Sequence, residues 1–116
     1  VELQSMGARL RKYRGWLSDQ ACCVVRFEDL VGPCGGEDRP RQLTTIKRIA
    51  DHVGITLEPS NIARIADHAF SRDSRTFNKG TTGAWKRHFN AEHVRQFKNV
   101  AGEELVAYGY ESSGAW

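Results

Sequence analysis

Leu3, Met6, Leu10, Tyr13 and Leu17 recur at three- and four-residue steps, which puts them on one face of an α-helix and predicts a helix over residues 3–17. Arg9, Arg11, Lys12 and Arg14 occupy its other face, where a solvated surface explains them. After Ser18-Asp19-Gln20 the pattern changes. Ala21-Cys22-Cys23-Val24-Val25-Arg26-Phe27 is apolar almost throughout, β-branched in the middle and bounded by turn residues, which predicts a strand over 21–27 buried on both faces. Glu28-Asp29-Leu30 closes it, and Gly32-Pro33-Cys34-Gly35-Gly36 reads as a loop. Leu43, Ile46, Ile49, Ala50 and Val53 mark a helix over 40–53, with Pro40 in its first turn and Gly54 at the left-handed cap. Pro59-Ser60 opens the next helix, whose stripe of Ile62, Ile65, Ala66 and Ala69 runs to Phe70. Residues 71–84 have no apolar period. A short helical turn is expected at residues 85–89, and Asn90 suits an N-cap with Glu92 in the first turn. Val94, Phe97, Val100 and Ala101 give one more helical face, and Leu105, Val106 and Tyr108 a last one before Gly109.

These elements define an α/β fragment, mainly helical, with one buried strand and about five helices. A solitary strand leaves backbone donors and acceptors unpaired on two edges. The expectation is therefore that another chain or a missing half completes it, self-association through strand 21–27 being one route.

Composition adds bounds. With 116 residues, 40% apolar and 27% charged, the chain supports one domain over 1–116, within which residues 1–5 ahead of Met6 read as a candidate remnant. No apolar run approaches the roughly 20 residues a membrane span needs, and the N-terminus lacks the apolar core of a signal peptide. The net charge of +3 permits an anionic partner without demanding nucleic acid. Cys22, Cys23 and Cys34 are odd in number and follow no metal-ligand spacing. They imply a reducing, cytoplasmic setting, buried inert thiols and no metal.

Chemistry concentrates at Lys79-Gly80-Thr81-Thr82-Gly83, where one ammonium sits beside two glycines ahead of a helical turn. Glycines let backbone N–H groups approach a ligand, and a following helix start favours an anion such as phosphate or sulfate. Arg72, Arg75, Lys86 and Arg87 raise the local potential further. The run Val24-Val25-Arg26-Phe27-Glu28-Asp29-Leu30, the Phe70 segment, Thr76-Phe77-Asn78-Lys79-Gly80-x-x-Gly83-x-Trp85-Lys86 and the terminal Gly109-Tyr110-Glu111 together resemble the C-terminal part of the sulfotransferases. That family uses 3′-phosphoadenosine 5′-phosphosulfate (PAPS). The resemblance runs from about residue 10 to the end and implies a P-loop-like fold whose PAPS or PAP cofactor is gripped partly by this half. It places the nucleotide 3′-phosphate on Asn78, Lys79 and Gly80, with Phe27 and Phe70 as apolar walls for the base. Asn78 stands where the family has arginine, so a bidentate guanidinium is lost and Arg75 is placed to compensate. Phe27 keeps a ring where the family has tyrosine. The dimerisation pattern of many animal members is absent, Asn90, Ala91 and Arg95 replacing threonine, valine and glutamate. No segment reads as the phosphosulfate loop or its catalytic base, so the chain alone is expected to bind nucleotide without transferring sulfate, and no catalytic residue is assigned.

Other readings compete. Residues 43–69 resemble a helix-turn-helix, although the Thr56-Leu57-Glu58-Pro59 link is long for one and only Asn61 and Arg64 would face bases. A homo-oligomeric interaction module is the third reading. His52, His68 and His93 read as surface or helix-end residues, and His88 as an aid to anion binding. Glu28 and Asp29 read as a structural pair, and Trp85 as an anchor of the loop.

Overall fold

The computed structural model describes residues 4–70 and 80–115, and every regular element in that range is helical. Helix α1 spans Met6–Tyr13 and continues into a 3₁₀ turn at Arg14–Leu17. A short α2 (Phe27–Leu30) leads into a second 3₁₀ turn at Gly32–Gly35, followed by α3 (Arg39–His52) and α4 (Pro59–His68). A third 3₁₀ turn at Ala84–Arg87 precedes α5 (Ala91–Ala107). The chain divides into two compact units, Val1–Val24 with Trp85–Trp116, and Val25–Ala84.

In the first unit α1 packs on α5. Ser5 caps α1 by accepting a hydrogen bond from the Ala8 N–H at 3.2 Å. Gly7 is buried at the crossing because nothing larger fits: a Cβ there would lie 1.8 Å from the Val100 carbonyl oxygen. Behind it the wholly buried Glu104 carboxylate accepts from the Arg11 Nε at 3.2 Å and the Arg14 Nε at 3.0 Å. The Tyr108 hydroxyl donates to the Leu10 carbonyl at 2.7 Å. Asn90 caps α5 as its sequence position suggests, accepting from the His93 N–H at 2.9 Å. The two helical faces expected beyond it are one helix of 17 residues. It ends at Gly109, φ +71°, where the Tyr110 N–H reaches back to the Leu105 carbonyl at 2.9 Å.

The second unit is built on α3. Its core joins Ile46, Ile62 and Ala66 to the half-buried Leu30, Leu43 and Leu57. Asp38 caps α3 at the Arg41 N–H, 3.1 Å away. Gly54 ends it at φ +76°, with the Ile55 N–H donating to the Ala50 carbonyl at 2.8 Å. The Gln42 amide, 1% exposed, is the polar centre. Its Nε2 donates to the Leu30 carbonyl at 2.8 Å and to the Ala66 carbonyl at 3.3 Å, tying α2 and α4 to α3. Gly32, φ +61°, leaves room for it, since a Cβ there would meet the amide at 2.3 Å.

The strand expected over 21–27 is absent. Residues 21–26 carry neither helix nor strand, Phe27 begins α2, and no sheet exists among the described residues. Val24 is 41% and Phe27 51% exposed instead of buried on both faces. The reason is physical: a strand is stabilised by its ladder, and the described residues offer no second strand. Glu28 and Asp29 meanwhile favour a helix start by sitting at the positive end of its dipole. The α/β assignment is thereby replaced by an all-helical one, while the expected number of helices fits roughly. The need for another chain or a missing half to complete a sheet loses its premise. The thiols differ too: Cys22 and Cys34 are exposed and Cys23 half-buried.

Candidate functional site

The glycine loop belongs to the second unit, and its described part begins at Gly80. Asn78 and Lys79, like Arg72 and Arg75, lie outside the described residues. Gly80 and Gly83 adopt φ +57° and +68°, the left-handed region where glycine is at ease. The loop rests on the turn at Gly32–Gly35. The Thr82 N–H points at the Gly35 carbonyl at 3.4 Å, and a Cβ on Gly35 would come within 3.0 Å of the Gly80 carbonyl. Two glycines facing each other allow this close backbone approach.

Sequence reasoning missed Glu37. Its carboxylate accepts a hydrogen bond from the Thr82 hydroxyl at 2.6 Å, across 45 positions of chain. Thr82 is thereby engaged, and a negative charge stands beside a loop read as a seat for an anion.

Phe27 and Phe70 lie in the same unit. The Phe27 ring, at the first position of α2, is 51% exposed and available to stack, while Phe70 is half-buried. Asp29 is not poised for proton transfer. Its carboxylate, 16% exposed, forms an ion pair with Arg41 at 2.5 Å whose geometry is not that of an aligned hydrogen bond, and it ties α2 to α3. Around that pair a polar concavity of about 440 Å³ is lined also by Thr44, Thr45 and Arg48.

The histidines read as bystanders take structural places. The His68 Nδ1 lies 2.8 Å from the Arg64 carbonyl, so that nitrogen carries the proton and donates. The His93 Nδ1 accepts from the Asn90 N–H at 3.3 Å. His88 is exposed in the first unit. Near it, hydrogen bonds from Arg95 and then Gln96 hold the exposed Glu92 carboxyl below its ordinary range. The helix-turn-helix reading gains little: Asn61 accepts from Arg64 at 3.3 Å, so the two side chains meant for bases meet each other. Residues 53–58 separate α3 from α4.

A feature without a sequence signal lies in the first unit. Trp85, Phe89, Phe97, Leu105, Tyr110 and Glu111 enclose a pocket of about 350 Å³. Trp85 meets Phe89 edge to face at 5.5 Å between ring centroids. Among the described residues no group of three His, Cys, Asp or Glu side chains could hold a metal, and no helix is long and apolar enough to cross a membrane.

The chain is 26% identical to mouse sulfotransferase 2A2, over 125 aligned positions that cover 88% of it and 41% of that protein. Mouse sulfotransferase 2A6 matches with the same identity and coverage. The chain thus spans about two-fifths of the length of these curated relatives. No protein-family model matches it, and no solved structure does.

Proposed function

We propose that this chain is the nucleotide-holding, C-terminal portion of a sulfotransferase-like domain, binding the adenosine 3′-phosphate end of PAPS or of its product PAP. The observation that carries this reading is the similarity to two mouse sulfotransferases along most of the chain. The local geometry agrees in part with such a ligand. Gly80 and Gly83 lie in the left-handed region, on a loop end held against Gly35. Phe27 offers an exposed ring for a purine. Lys79 supplies the charge, Gly80 a backbone donor, Asn78 a neutral contact, and Phe27 with Phe70 the walls. Glu37 works against the anion, and with asparagine in place of the family's arginine the affinity should be modest. By itself the chain holds nucleotide without moving a sulfuryl group, because transfer needs donors around that group and a base that none of these residues supplies.

Isothermal titration with adenosine 3′,5′-bisphosphate tests it. Wild type should bind, and Lys79→Ala should weaken binding about tenfold or more, the scale of one charge-assisted phosphate contact. No heat from wild type overturns the reading, and equal affinities remove Lys79 from it.

A further inference from the structure

We propose that the aromatic pocket of the first unit binds an organic ammonium cation, a headgroup of the trimethylammonium kind. This stands apart from the nucleotide reading, which concerns the second unit. Trp85 and Phe89 come from the turn before α5, Phe97 and Leu105 from α5, and Tyr110 and Glu111 from the segment after it. The rings are tilted rather than stacked: Trp85 to Phe89 at 67° and 5.5 Å between centroids, Phe89 to Phe97 at 55° and 6.5 Å. Tilted rings wall a space instead of filling it. Trp85, Phe89 and Tyr110 remain 42%, 41% and 47% exposed, so the pocket opens to solvent. Its volume of about 350 Å³ is within the range of small-molecule sites.

The charge of the occupant follows from Glu111. Among the described residues it is the only charged one in the lining, it is half-buried, and its carboxylate takes no hydrogen bond or ion pair from them. A neutral apolar ligand would cover that carboxylate without compensating it, and an anion would be repelled. A cation with an apolar shell satisfies both the carboxylate and the negative faces of the rings. The indole already attracts a cation in this protein, since the Lys86 ammonium lies 5.9 Å from the Trp85 ring centroid without lining the pocket.

The test is NMR titration of the full chain with choline and with 3,3-dimethyl-1-butanol, in which carbon replaces the charged nitrogen. Choline should bind about tenfold or more tightly than the neutral isostere. Glu111→Gln should weaken choline several-fold, leave the isostere unchanged and preserve the far-UV circular dichroism. Phosphatidylcholine vesicles in a parallel arm tell a lipid headgroup from a free cation, and binding to either supports the site. Equal affinity for choline and its isostere, or no binding of any probe, overturns the proposal. So does a concentration-dependent dimer that shields the rings from choline, which would assign the pocket to a second copy.

Discussion

Glu104 is wholly buried, but the guanidiniums that hold it are not, Arg11 and Arg14 being 62% and 44% exposed. Removing the acid lets two arginines return to water. Removing the arginines strands a carboxylate in the interior, which is the costlier change. Arg11→Met with Arg14→Met should therefore lower the unfolding free energy by about 3 kcal/mol, and Glu104→Leu by clearly less, as measured by urea denaturation. Equal losses would mean that the carboxylate finds water or another partner. Gln42 illustrates the same scale from the neutral side. Its Nε2 satisfies two carbonyls from different helices, and periodicity could not single it out, because a glutamine among Leu43, Ile46 and Ala50 reads as a surface residue until the carbonyls of Leu30 and Ala66 are placed beside it.

At the level of the element, local signals did well and lateral ones poorly. Gly54, Asn90 and Gly109 end or begin helices where their own chemistry says they should, since a cap involves residues only a few positions apart. The crossing of α1 and α5 was invisible, because it joins Gly7 to Val100 across most of the chain. It makes a sharp prediction. Gly7→Ala drives a methyl into a backbone carbonyl and should destabilise the fold by about 1–3 kcal/mol, despite alanine's higher helix propensity. Gly102→Ala in α5, where the nearest outside atom is the Lys98 Cβ at 3.7 Å, should instead stabilise by up to about 1 kcal/mol. Thermal unfolding of both variants compares them directly, and a shared sign would refute the crossing.

Across the whole molecule the core is thin. Among the described residues the buried apolar side chains are Val31, Ile46, Ala50, Ile62, Ala66 and Ala101, three of them alanines, while Trp16, Phe27, Val53 and Ile55 are all more than half exposed. Such a chain should sit at or below the lower end of ordinary stability, unfolding in urea with about 5 kcal/mol or less, and a value near 10 kcal/mol would contradict this balance. The same thinness explains which parts were legible in advance. The amino-acid sequence by itself determined the longer helices α1, α3, α4 and α5, the Asn90 cap and the glycines at 54 and 109, because these depend on bonds between near neighbours in the chain. It also carried the likeness to sulfotransferases, though Asn78 and Lys79 lie outside the described residues. Tertiary structure alone decided that residues 21–27 form no strand, that Glu37 stands beside Thr82, and that Trp85, Phe97 and Glu111 share one pocket. A ladder, an ion beside a loop and a cavity each require groups distant in sequence to meet, and no local pattern records whether they do.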